Sequence, residues 1–319
     1  MRTTTGNYFM TASRLGLGIV ALMLAAGTAG AQQVYQGSNG FAPDSIMAPA
    51  AAAYAQNQQR EIETAETNLN LAVNGQHFQY SENLTPGDSE NGEMPGFTIG
   101  ASYLQPGLVW PVKADLYTSL SYQFNAGNVA YRGTQENLIT GATAPFNTTD
   151  RAVMNRIEGR FGMGLNVGHG VMVIPFLAGG YQSWNRNVDS NGVYYGDEEY
   201  SAALLGGGVR VDAALTPTLV AYGEGEVLGI LVGNVTNNDA NFSHGMGGSA
   251  EERLSAGLDQ AVSGPFHVFA NGYWEHFNWA GNKPTDSSIV QLAGSYYYLY
   301  EPLSTTSEFG LNVGASYAF

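Results

Sequence analysis

The chain has 319 residues, no cysteine, and 12 basic against 27 acidic side chains, for a formal charge of −15. No disulfide can brace the fold, and the charge leaves no basic patch for nucleic acid. Hydrophobic residues make up 44%, with 19 Tyr and 42 Gly, which suits alternating strands rich in aromatics and tight turns.

Arg2 and Arg14 precede the apolar run Leu15 to Ala26, and Ala29-Gly-Ala31 follows. A charged start, a short apolar core and a small-residue cleavage site predict a signal peptide over 1–31. The expected route is Sec-type export to the periplasm. Removing Arg2 and Arg14 leaves 10 basic residues against 27 acidic, about −17 for the mature chain. No later stretch approaches the roughly eighteen apolar residues of a transmembrane helix.

Residues 32–67 form a separate lead. Pro49-Ala-Ala-Ala-Ala-Tyr54 and the Gln- and Glu-rich stretch to Glu66 favour helix. Polar residues on all faces predict a periplasmic segment outside the core. A helix plugging the lumen from below is the sharper alternative.

From Asn68 the period becomes two. Leu69, Leu71 and Val73 alternate with Asn68, Asn70 and Asn74. The same alternation recurs around 97–103, 115–125, 156–167, 205–212, 219–226, 254–259 and 266–275. Val171–Trp184 is apolar on both faces for part of its length, so its register stays open. The last strand runs from Phe309 to Phe319. Phe309, Leu311, Val313, Ala315, Tyr317 and Phe319 alternate with the small, uncharged Gly310, Asn312, Gly314, Ser316 and Ala318. Eleven residues at this period match a transmembrane β-strand.

Short connections, at 168–170, 215–217 and 263–265, alternate with long polar ones, at 81–95, 127–152, 186–198, 233–249 and 280–307. The connection 105–114 is of medium length. The pattern predicts an all-β fold over 68–319, a transmembrane antiparallel up-and-down β-barrel of ten strands. Eight or twelve stay open because 289–300 could add strands; it is read instead as an extracellular hairpin or a loop over the mouth. Tyr80, Phe97, Tyr103, Trp110, Tyr117, Trp184, Tyr273, Trp274 and Phe277 are read as two aromatic girdles.

The polar faces carry an unusual set of ions. Arg156, Glu158 and Arg160 share one strand; Arg210, Asp212, Glu224, Glu226, Arg253, Asp259 and Glu275 follow on later ones. Mixed signs facing a lumen predict either a salt-bridged core or a wet constriction that selects small solutes by charge. Ten strands lie near the filled end of the barrel range, so the reading is a narrow passive channel, with a closed structural or adhesive barrel as the alternative.

Catalysis finds little support. Omptin proteases are also ten-stranded, and their rim sites need carboxylate pairs and an Asp–His pair. Here Asp239 lies five residues before His244, and Glu275 adjoins His276 on the opposite strand face. The chain is read as no enzyme, needing no cofactor, with a rim hydrolase at Asp239 and His244 as the remaining variant. Glu82, Asp88, Glu90 and Glu93 in one long connection, and Asp197-Glu-Glu199 in another, offer oxygens for a weak divalent cation.

The terminal strand, ending in Phe319 with Tyr317 two residues earlier, resembles the closing strand of Gram-negative outer-membrane barrels. The resemblance implies recognition of Tyr317 and Phe319 by the barrel-assembly machinery. Residues 68–319 as a whole resemble the small, porin-like outer-membrane β-barrels of proteobacteria. That implies residence in the outer membrane, against lipid and lipopolysaccharide, and supplies no catalytic motif.

Overall fold

The computed structural model describes residues 44–109, 114–136, 140, 142–168, 170–189, 196–239, 242–282, 288–292, 295–299 and 301–319. The expected signal peptide and Trp110 lie outside them. A helix, α1 (Asp44–Ala65), precedes the strands β1 (Asn68–Glu82), β2 (Ser89–Val109), β3 (Ala114–Glu136), β4 (Thr143–Gly168), β5 (Val171–Asn187), β6 (Asp197–Thr216) and β7 (Leu219–Asn237). Then come β8 (Phe242–Gly245), β9 (Ser249–Ser263), β10 (Phe266–Trp279), β11 (Ser288–Leu292), β12 (Ser295–Leu299) and β13 (Ser304–Ala318).

The sheet runs β6-β5-β4-β3-β2-β1-β13-β10-β9-β7, and β7 pairs back onto β6. Ten antiparallel strands therefore close a barrel, which leaves no free sheet edge. β8 adds a short rung on β7, and β11–β12 is a separate hairpin, as read for 289–300. Chain direction puts the tight turns, Asn68 and Phe319 at one end. Gly264 makes one of those turns at φ +55°, a backbone that L side chains rarely adopt.

In the lower half of the barrel the outer face is apolar. Leu71, Ile99, Leu120, Phe161, Leu177, Leu205, Val227, Leu258, Val268 and Leu311 are all exposed and outward. A closed barrel with such a belt is the architecture of bacterial outer-membrane proteins, since lipid satisfies no backbone group. Phe266 packs edge-on to Tyr317 at 5.3 Å, and Tyr103 stacks with Phe319 at 6.4 Å. These outward rings form the girdle at the lower rim. Arginine at Val313, mid-belt, should cost about 2–4 kcal/mol in folding stability, and at Ser307, above the belt, close to nothing. Urea titration of the refolded protein in bilayers checks the difference.

The polarity inverts above the belt. His77, Gln79, Glu93, Arg151, Asn185 and Glu199 now face outward, while Phe78, Tyr80, Trp184, Tyr200, Phe277 and Trp279 turn inward and are buried. The strands also run on. β3 and β4 stay paired from Ala126↔Val153 to Glu136↔Thr143, through most of the region read as the loop 127–152. Two expectations are corrected here. Most of the connections 81–95, 127–152 and 233–249 is strand, because a barrel above the membrane still needs its backbone paired. And Tyr80, Tyr117, Trp184, Tyr273 and Phe277 are lumenal rather than girdle residues.

The lead is also part of the barrel's interior. Ile62 is buried in a cluster with Leu104, Tyr117, Met172, Ile174, Ala214 and Val220. Gln58 Nε2 donates to Ala214 O at 3.1 Å, and Asn166 Nδ2 to Gln59 Oε1 at 2.6 Å. The C-terminal turns of α1 thus seat in the lower mouth. Ile62 and Ala65 insert from a C-terminal half that is otherwise mostly polar, too few apolar residues to make a stripe. The docking also explains why β5 is apolar on both faces: Val171 and Val173 point outward, Met172 and Ile174 to the helix.

Candidate functional site: the lumen

Every one of the ten lumen residues picked from the sequence faces inward, and the barrel joins them into layers. In the middle layer Arg156 Nη2 meets Glu158 Oε2 at 2.6 Å, while its Nη1 lies 2.6 Å from Glu251 Oε1 and 3.1 Å from Glu275 Oε1. Arg160 meets Glu158, Glu224 and Glu226, each at 2.7 Å. Three neighbours on one strand, Arg156, Glu158 and Arg160, thereby tie β4 to β7, β9 and β10. All of these groups but the slightly more open Arg160 are buried, where an unpaired charge would cost several kcal/mol.

Arg210 forms a lower layer with Asp212 at 2.9 Å and with Glu66, just past α1, at 2.5 Å. Asp259 pairs with His267 Nδ1 at 2.5 Å. Arg253 lies over the Tyr273 ring, 4.7 Å from its centroid. Opposite the ions runs a neutral network. Asn125 donates to Asn74, Asn74 to Thr98, Thr98 to Asn312 and Asn312 to Asn271, at 2.5–3.1 Å. Asn312 and Ser316 line a cavity of about 200 Å³ in the lower lumen. Gly310 adds no space, because the Tyr273 ring takes the position its side chain would fill.

Above the ions sits an aromatic plug. Trp184 of β5 touches Phe78 and Tyr80 of β1 at 5.2 and 4.9 Å between ring centroids, so rings meet across the barrel. Trp184 also stacks on Tyr200 at 4.9 Å, and Tyr200 meets Trp279 at 5.5 Å. Each of the ten strands contributes an inward residue at most 1% exposed: Phe78, Met94, Val129, Ala152, Trp184, Tyr200, Val235, Glu251, Phe277 and Thr306.

A third ion layer caps the plug, and it escaped the sequence reading. Arg186 pairs with Glu90 at 2.5 Å, with Glu198 at 2.6 Å and with Asp88 at 3.6 Å. In sequence Asp88, Glu90 and Glu198 read as acids of long loops. Their inward parity, two residues apart on extended backbone, was the available signal. Tyr200 OH donates to Glu301 at 2.8 Å. Burial, and then the neighbouring Glu198 charge, push the Glu301 carboxyl well above the ordinary range.

The rim residues considered for hydrolysis lie apart from any pocket described. Asp239 Oδ2 accepts from Asp197 N at 3.2 Å, and His244 pairs in register with Val235. His276 faces outward, its Nδ1 2.8 Å from Ser307 Oγ, while Glu275 faces the lumen. Among the described residues no group of three or more His, Asp or Glu is arranged to hold a metal.

No family model matches the chain, and no curated protein matches it in sequence. In structure the chain is similar to the outer-membrane protease OmpT of Escherichia coli, at 8% identity and TM-score 0.46, covering 80% of this chain and 97% of that one. It is similar to the translocator domain of the autotransporter NalP of Neisseria meningitidis, at 11% identity and TM-score 0.39, covering 86% and 98%. It is also similar to the toluene transporter TbuX of Ralstonia pickettii, at 10% identity and TM-score 0.34, covering 84% and 94%.

Proposed function

We propose that this protein is a closed outer-membrane barrel, a scaffold that holds an extended β-rim above the lipid, and not a passive pore. The reading rests on one observation: all ten strands bury an inward side chain in a single zone, which favours a filled lumen over an open one. A conducting lumen keeps its lining wet. The ion layers then act as struts across a filled barrel, and the exposed polar rim of β3 and β4 is the surface left for a partner. Tyr317 and Phe319, both outward and exposed at the lower rim, are the proposed contact for the assembly machinery. The protein refolded into planar bilayers should stay electrically silent from low to high salt. Reproducible unitary conductance steps would overturn the closed reading and restore the narrow channel.

A further inference from the structure

Among the described residues five arginines face the lumen, and four hold a carboxylate closely. Arg156, Arg160, Arg186 and Arg210 each hold a carboxylate at 2.5–2.7 Å. Arg253 differs. Its nearest carboxylate oxygen, on Glu275, is 3.6 Å away, and its nearest neutral acceptor, Gln123 Oε1, is 3.5 Å away. Both exceed the reach of a strong charge-assisted hydrogen bond. The ring of Tyr273 supports one face of the guanidinium, which leaves the in-plane donors to find acceptors. A guanidinium in a low-dielectric site without close acceptors is costly.

The lower-lumen cavity is where those acceptors can enter. Arg253 lines it beside the uncharged Gln123, Ser255 and Asn312. The carboxylates that also line it, Glu66, Glu158, Glu224 and Asp259, are each already paired with an arginine or histidine. We infer that this cavity is a binding site for a small monocarboxylate, held in the plane of the Arg253 guanidinium. The fork geometry favours a planar, two-oxygen acceptor over a spherical ion. The neutral amide and hydroxyl wall then contacts the ligand's short tail. A doubly charged phosphate fits less well, because Glu275 stands beside the same arginine and repels the second charge. The volume, about 200 Å³, has room for an acetate-sized anion and its bridging waters.

The test uses the full chain refolded in detergent, in a buffer free of carboxylates. ¹³C-acetate is titrated in by NMR, with inorganic phosphate as the second probe. Saturable binding of acetate, tighter than that of phosphate, is expected. Arg253→Lys keeps the charge but loses the fork, and should weaken acetate roughly tenfold. Arg253→Gln should abolish binding, and Arg60→Gln, on exposed helix, should change nothing. Where the glutamine variant does not fold, the lysine variant carries the comparison. Absence of saturable acetate binding by folded wild type, equal binding by the Arg253 variants, or tighter phosphate binding overturns the assignment. Bilayer conductance is independent of all three results.

Discussion

Replacing Arg156 by Gln should destabilise the barrel by about 3–5 kcal/mol, the cost of stranding buried charges. The variant leaves Glu251 and Glu275 without their closest cation and takes one of two from Glu158. Arg160 still reaches Glu158 at 2.7 Å but not the other two. Charge reversal to Glu should be worse. Urea unfolding of the refolded protein, followed by tryptophan fluorescence, measures it. A loss under about 1 kcal/mol is the range of solvated surface pairs. That result would mean the ion layer is wet, and the strut reading would fail with it.

The second large effect belongs to the plug. Trp184→Ala removes the ring that joins β1, β5 and β6 across the barrel, and should cost about 3–5 kcal/mol. Combined with Tyr200→Ala it should admit water from above. The chain has no cysteine, so Ala152→Cys supplies a clean reporter. A polar thiol reagent should leave that cysteine untouched in the parent and label it in the double variant. Conductance should still be absent, because the Arg156 and Arg160 layer remains below. Fast labelling in the parent would mean the plug breathes enough to pass solutes.

The lower barrel was legible because one solvent sits on each side of it. Lipid outside and polar groups inside make every strand alternate in a single phase, and Leu69, Leu71 and Val73 or Phe309 to Phe319 report it directly. Above the belt both solvents change. Water lies outside, and the interior is packed, so the apolar row jumps to the other parity: Val73 is followed by Phe78 and Tyr80, and Trp274 by Phe277 and Trp279. A reader following one phase sees the pattern break and concludes that the strand has ended. The same inversion hid the Arg186 layer. Its carboxylates look like loop acids when the strand beneath them is not recognised. The docking of α1 stood only as the alternative, for a different reason. Ile62 and Ala65 carry the apolar contact, and two residues make no periodic stripe. All ten candidate ions lie on the inward parity. The long contacts of Arg253 were beyond it, since distances across a lumen depend on which strands the closure brings together.

Closure has one further consequence. Asn68 pairs with Ala318, and Phe319 N donates to Thr67 O at 3.3 Å. The first and last rungs are therefore neighbours, and the seam between them is an ordinary ladder. The barrel is in effect a ring with no privileged starting point, and α1 is tethered at the place where the ring is cut. Anything fused after Phe319 emerges beside the helix, on the same face. Cargo meant for the opposite face has to be spliced into the turn between β3 and β4 or one of its companions.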